Sequence, residues 1–161
     1  MIIFAKFIFL FFFINSPLVA SETKYLIINK SNRELIAFLN TGKVKKFSVS
    51  LGFEPNGTKI KSGDGKTPEG LYYIEKKIQN SSFYLALQIS YPNPWDIRRA
   101  ITLNKHPGGQ IMIHGVPNSG FDEEYHNKQN DWTEGCIAIT NKEMDFLWKK
   151  VQVGTPVLIR N

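Results

Sequence analysis

The chain has 161 residues, 42% of them hydrophobic and 21% charged, with a formal net charge of +6. That length suits one domain with a real core, and a single cysteine excludes an intramolecular disulfide. The lysines are scattered rather than gathered into a basic stripe with aromatics, which sets nucleic acid aside as a partner. A mild positive field fits either an anionic polymer or simple solubility.

Residues 1–20, MIIFAKFIFLFFFINSPLVA, are almost wholly apolar. The run from Phe7 to Ile14 has the length of a signal-peptide core and is too short to span a bilayer. Pro17 stops a helix, and the small residues Ala20 and Ser21 offer cleavage positions. The sequence therefore divides into a signal peptide, 1–20, and one exported domain, 21–161, bound for the periplasm or cell envelope. The basic flank is thin, so an uncleaved membrane anchor is the alternative.

The domain opens with strand signals. KYLIINK, RELIAFLN and KVKKFSVSLG are rich in Ile, Leu, Val, Phe and Tyr, and turn residues separate them (Ser31-Asn32, then Asn40-Thr41-Gly42), which predicts a three-stranded meander. EPNGTKIKSGDGKTPEG follows, with four glycines and two prolines, and reads as a long loop of the kind that carries function. GLYYIEKKI and FYLALQISYP resume the strand pattern. YPNPWDIRRA reads as a loop bearing Pro and Trp, and ITLNK as a short strand. IMIHGV is a buried strand ending at His114-Gly115. Residues 117–131 are polar and irregular and read as a flap or surface loop. IAIT is extended. Thr140-Asn141-Lys142-Glu143 fits a capping box, and Met144, Leu147, Trp148 and Val151 follow at helical spacing. Gly154 and Pro156 end that helix, and PVLIR closes the chain as a strand. The fold class is mostly β, a β-rich α+β domain with one helix in its C-terminal half.

Cys136 is the nucleophile candidate. A free cysteine is most often a small buried hydrophobe, but this one follows Asp131-Trp132-Thr133-Glu134-Gly135, a polar approach that packing alone does not need. Gly135 removes a side chain and frees the backbone, so that the N–H groups of Gly135 and Cys136 are candidate oxyanion donors, each worth roughly 2.7–4 kcal/mol in acyl transfer. The candidate bases are His106, His114 and His126. His114 is preferred, because a buried strand end fixes an imidazole and Gly115 leaves room beside it. Three histidines and one cysteine could also make a zinc set, but none has the close pair spacing of such sites.

His114-Gly115, the variable loop and Thr133-Glu134-Gly135-Cys136 together resemble the L,D-transpeptidases of the YkuD type. Thr67-Pro68-Glu69-Gly70 resembles that family's T-P-x-G segment, and the likeness runs from about Tyr25 to Ile159. The resemblance implies a mostly β catalytic domain with its site in a cleft under a flap, and no metal or organic cofactor. It implies that Cys136 attacks the carbonyl between diaminopimelate and D-Ala in a peptidoglycan stem tetrapeptide. His114 takes the thiol proton, the Gly115 carbonyl orients the imidazole, and the thioacyl group passes to an amine or to water. Thr133 is expected to position the loop, and Trp132 and Glu134 to line the cleft.

Two positions depart from the pattern. Glu134 stands where the family often has His, placing a negative charge near the thiol that opposes thiolate formation. Ala138 stands where it often has Arg, removing a carboxylate-binding group. The D-W-T-E-G-C-I-A form resembles a sub-branch that includes enzymes hydrolysing existing links. A peptidoglycan amidase or L,D-carboxypeptidase using the same Cys–His pair is therefore the alternative, and a non-catalytic wall-binding module is the third reading. Partners are stem peptides with an amine acceptor or water, and the membrane only through the N-terminal segment.

Overall fold

The computed structural model describes residues 22–119 and 130–161. The expected signal peptide and most of the expected flap, including His126, lie outside the described residues. Strands β1 (Thr23–Asn29), β2 (Glu34–Leu39) and β3 (Val44–Ser48) form the antiparallel meander read from the sequence. Then come β4 (Gly70–Ser81), β5 (Tyr84–Ile89), α1 (Pro94–Thr102), β6 (Met112–His114), β7 (Ile137–Ala138), α2 (Asn141–Lys150) and β8 (Pro156–Arg160). The sheet order is β3-β2-β1-β8-β4-β5-β6-β7, with β8 parallel to β1 and β7 parallel to β6.

Strand β4 bends this sheet. Its start, Gly70–Tyr73, pairs with β8, and its remainder pairs with β5 through register shifts between Ile74 and Lys76 and between Ile78 and Ser81. Such irregularities kink a strand and raise its twist. Beyond β3 the chain reaches across to the opposite edge, where Ser50 bridges Ala138 and Gly52 bridges Thr133. The sheet therefore curls until its two edge regions meet, which also shields them from pairing with other chains.

Period-two burial fills the interior. Leu26 and Ile28, Leu35 and Ala37, Tyr72 and Ile74, Leu87 and Ile89, and Val157 and Ile159 each point inward from successive strands. Each fully buried Leu or Ile contributes about 1.5–3 kcal/mol. Helix α2 starts as the sequence predicts: the Thr140 hydroxyl accepts from Glu143 N, and Glu143 Oε2 accepts from Thr140 N, both at 3.1 Å. Met144, Leu147 and Val151 are fully buried, and Trp148 is partly buried against the same core. Lys77 closes the far end, donating to the carbonyls of Trp148 and Val151 with its ammonium over the Trp148 ring.

Two expectations are corrected here. YPNPWDIRRA is not a loop, and ITLNK is not a strand; residues Pro94–Thr102 form helix α1. Asn93 caps it, accepting from Trp95 N and Asp96 N, and the Asp96 carboxylate accepts from Asn93 N at 3.0 Å. Pro94 occupies the first turn, where its missing N–H costs nothing. The domain thus has two helices among its described residues. None of them is long and apolar enough to cross a membrane.

Candidate active site

The long polar segment between β3 and β4 is folded against the interior by buried charge. Lys30 is 1% exposed; its ammonium donates to Gly57 O (2.6 Å), Thr67 O (3.0 Å) and Glu69 Oε1 (2.8 Å). Lys59 donates to Asp64 Oδ1 at 2.8 Å, and the Asp64 carboxylate also accepts from the N–H groups of Ile60, Lys61 and Lys66. The Thr67 hydroxyl accepts from Gly52 N at 3.0 Å. Removing one partner of a buried pair leaves the other charge stranded, so these contacts fix the loop where it meets the site.

Asp131 leads the chain into the site. Its carboxylate accepts from Leu51 N (2.9 Å) and from Arg33 Nη2 (2.6 Å). Thr133 then pairs with the segment after β3, through Thr133 N to Leu51 O and Phe53 N to Thr133 O. The buried Thr133 hydroxyl donates to Cys136 O (2.8 Å) and accepts from Gly135 N (3.1 Å), closing the turn that carries the thiol. The Thr133 side chain thus bonds both Gly135 and Cys136 within this turn. The Gly135 N–H is engaged by that hydroxyl, so it does not face a reacting oxygen, contrary to its expected place beside the Cys136 N–H.

Strand register brings thiol and imidazole together. Ile113 pairs with Ile137 and His114 with Ala138 in the parallel β6–β7 ladder. In-register neighbours face the same way, so Ile113 and Ile137 enter the core while Met112, His114 and Cys136 share the opposite face. They line a cleft of about 540 Å³ with Ile78, Ser81, Ser82, Phe83, Gln110, Trp132, Thr133 and Glu134. His106, by contrast, is exposed, and its Nδ1 accepts from Gly108 N at 3.1 Å. Among the described residues no group of three or more His, Cys, Asp or Glu side chains could hold a metal ion.

His114 is 3% exposed. Its Nδ1 lies 2.6 Å from the Gly115 carbonyl. A carbonyl only accepts, so Nδ1 carries the proton and Nε2 keeps its lone pair. The ring packs 4.5 Å from that of Phe83 and 5.9 Å from that of Trp132, centroid to centroid. Burial pushes the imidazole pKa down to about 4, against the opposing hydrogen bond to Gly115. The Cys136 thiol is partly buried and donates to Gln110 O at 3.7 Å. Burial pushes its pKa up; a backbone hydrogen bond from Met112 and the charge of Lys59 work against this, and the charge of Glu134 adds to it. Both shifts favour the neutral forms of a thiol and an imidazole that line one cleft.

The depressed His114 pKa has a consequence for stability. Relative to an ordinary value of 6.5, a folded pKa near 4 gives stability that is complete above pH 6.5 and lost as pH falls from there towards 4. The loss is about 3 kcal/mol. Urea unfolding midpoints across this range are expected to slope in the wild-type protein and to flatten in His114→Gln. Equal slopes would show that the imidazole is not buried neutral.

Phe83, Gln110 and Asn118 shape the site without a signal in the sequence. Phe83 sits at the β4–β5 corner rather than inside a strand, and its carbonyl accepts from Gly115 N at 3.1 Å. Asn118 clamps that corner, donating to Ser81 O (2.8 Å) and accepting from Tyr84 N (2.9 Å). Gly115 is also required: a Cβ there would lie 2.3 Å from Asn141 Oδ1, which accepts from Val116 N.

A curled β-rich domain with a Cys–His cleft at the joined edges defines the class. The family model of the L,D-transpeptidase catalytic domain, YkuD, matches residues 23–159, and the chain belongs to that family. "Putative L,D-transpeptidase YafK" of Escherichia coli strain K12 is 29% identical over 138 residues, covering 79% of this chain and 46% of that protein. "Putative L,D-transpeptidase YqjB" of Bacillus subtilis strain 168 is also 29% identical, over 84% of this chain and 70% of its own length. Among solved structures, the helical cell shape determining protein Pgp2 from Campylobacter jejuni superposes with a TM-score of 0.62 at 27% identity, covering 86% of this chain and 48% of that one. The chain thus spans about half the length of YafK and of Pgp2.

Proposed function

We propose that this chain is an exported cysteine acyltransferase acting on peptidoglycan stem peptides at the bond between diaminopimelate and D-Ala, with residues 1–20 serving as its signal peptide. The observation that carries this reading is the His114 imidazole, whose Nδ1 is held on the Gly115 carbonyl while its ring lines one cleft with Cys136. Family membership supports the substrate class, and similarity to Pgp2 supports a role in cell shape.

In the proposed reaction His114 Nε2 takes the Cys136 proton as Sγ attacks the carbonyl carbon. The tetrahedral intermediate collapses, the C–N bond breaks, and the imidazolium returns the proton to the departing D-Ala amine. The resulting thioester is attacked by an amine, which loses its proton to His114 while the departing sulfur leaves and is reprotonated. The Cys136 N–H is the backbone donor assigned to the oxyanion, since Gly135 N–H is bonded to Thr133. The reaction draws on no metal or organic cofactor.

Incubation with purified stem tetrapeptides and with a wall digest, followed by mass analysis, tests the proposal. The expected products are free D-Ala and a new cross-link or amide. Release of D-Ala with only the free tripeptide acid would assign the acyl group to water, making the protein an L,D-carboxypeptidase. Loss of existing cross-links would make it an amidase. An unchanged digest would sink the catalytic reading in favour of a wall-binding module.

A further inference from the structure

Helix α1 turns to solvent the kind of side chain that a surface helix normally hides. Its inward side buries only Asp96 and Ala100. The Asp96 carboxylate is engaged there, accepting from the Tyr72 hydroxyl and from Asn93 N, both at 3.0 Å. Outward stand Trp95 (71% exposed), Ile101 (68%), Leu103 (51%) and Ile97 (40%). Trp95, Arg98, Arg99, Thr102 and Leu103 recur at i, i+3, i+4, i+7 and i+8, so they share one face, and they line a groove of about 400 Å³. Ile97 and Ile101 lie one turn apart on the other side of Arg98. Both guanidiniums are exposed, and among the described residues neither enters an ion pair. From Pro94 to Lys105 the chain holds Arg98, Arg99 and Lys105, all exposed, against one acid, the buried Asp96.

Solubility does not ask for this arrangement: the arginines would serve it equally well without an apolar side chain on each flank. Apolar residues bracketing guanidiniums are what a membrane interface takes up, with Trp, Ile and Leu entering the acyl boundary while Arg stays at the level of the headgroups. A second copy of the chain is a poor occupant, because a two-fold contact would set the arginines of one protomer against those of its partner. An anionic bilayer satisfies both halves of the face. Its hydrocarbon edge covers the apolar side chains, and its phosphates meet the guanidiniums in the charge-assisted geometry that Arg favours. We propose that helix α1 is a docking surface for an anionic phospholipid membrane, seating a lipid phosphate in the groove that Arg98 and Arg99 line between Trp95 and Leu103. The proposal is independent of the acyltransferase reading. It adds a membrane contact on the folded domain to the one expected of residues 1–20, and would hold the domain against the bilayer surface.

Trp95 reports on its own surroundings. The full chain is mixed with vesicles of phosphatidylglycerol and phosphatidylcholine in equal parts, carrying a tracer lipid with a nitroxide quencher high on its acyl chain. Subtracting the fluorescence of Trp95→Phe isolates Trp95 from Trp132 and Trp148, and residues 1–20 contain no tryptophan. The isolated signal is expected to shift to the blue and lose roughly half its intensity on these vesicles, and to do neither on pure phosphatidylcholine. Arg98→Gln combined with Arg99→Gln is expected to lower the ratio of docked to undocked Trp95 roughly thirtyfold, and added salt to weaken docking in the unsubstituted chain. All three substituted positions are exposed, so thermal melts should stay within a few degrees of the unsubstituted protein. Unquenched Trp95 on the charged vesicles overturns the proposal. So does quenching that is equal on neutral vesicles or that survives loss of both arginines. A blue shift that grows with protein concentration in the absence of lipid also overturns it, by giving the face to a second copy.

Discussion

Cys136→Ala is expected to remove all turnover and all covalent labelling, with the melting temperature unchanged within a few degrees. The thiol is partly buried and makes weak contacts to the backbone of Gln110 and Met112, so its loss takes little packing while removing the proposed bond-forming atom. His114→Gln is expected to slow acylation by 10²–10⁴-fold, the usual worth of a positioned general base, without abolishing it. Intact-protein mass spectrometry after incubation with a carbapenem reads both effects: one adduct on the wild type, a slow adduct on His114→Gln, none on Cys136→Ala. An adduct of equal rate on wild type and Cys136→Ala would move the nucleophile elsewhere. The pH profile gives a further check. With the neutral forms favoured, acylation needs an unprotonated imidazole, so its acid limb is expected near pH 4 rather than near 6.5. An acid limb near 6.5 would mean that the cleft is wetter than its aromatic walls imply.

The elements legible in the sequence were those whose signal is local. The strands of the meander and α2 carry their own periodicity, and the Thr140–Glu143 box announces its helix. Helix α1 has the same punctuation, Asn93 and Asp96 in a capping box around Pro94, but its buried residues are only Asp96 and Ala100. Ile97, Ala100 and Ile101 stand at helical spacing, but the run is short and its Asn and Pro read as turn residues. The candidate site was legible in Cys136 and His114, which line one cleft, because chemistry restricts those residue types. Phe83 and Lys30 were not, because nothing nearby in sequence tells an aromatic packed on an imidazole from an ordinary strand residue, or a buried lysine from a strand end. The Gly135 N–H shows the same limit more sharply. Its freedom to bend was readable, but its bond to the Thr133 hydroxyl exists only once the turn has closed.

Gly52→Ala is expected to be the most destabilising single-methyl change in the domain. Three glycine-bearing segments cross beneath the thiol, and the crossing has no spare volume. A Cβ on Gly52 would sit 2.1 Å from Gly65 O and 2.9 Å from Gly135 Cα, and one on Gly135 would sit 2.6 Å from Lys66 O. These obstacles are backbone atoms, so no rotamer change relieves them, and Gly135 also has φ near +129°, where a side chain is strained. A cost at the top of the single-substitution range, about 4–5 kcal/mol, would lower the melting temperature by roughly 10–20 °C. Gly42→Ala is the control: Gly42 has φ near +80°, but its Cβ would meet nothing within 4 Å. It should cost about 1 kcal/mol. Thermal melts of Gly52→Ala and Gly42→Ala within a few degrees of each other would show the crossing to be looser than drawn. Gly135→Ala adds a functional readout. If the chain accommodates the methyl by moving this turn away from Lys66, Cys136 moves with it while His114 stays fixed by Gly115 and Phe83. The thiol would then react normally with a small alkylating reagent yet lose carbapenem acylation. That separation would place the role of Gly135 in holding the nucleophile against its base.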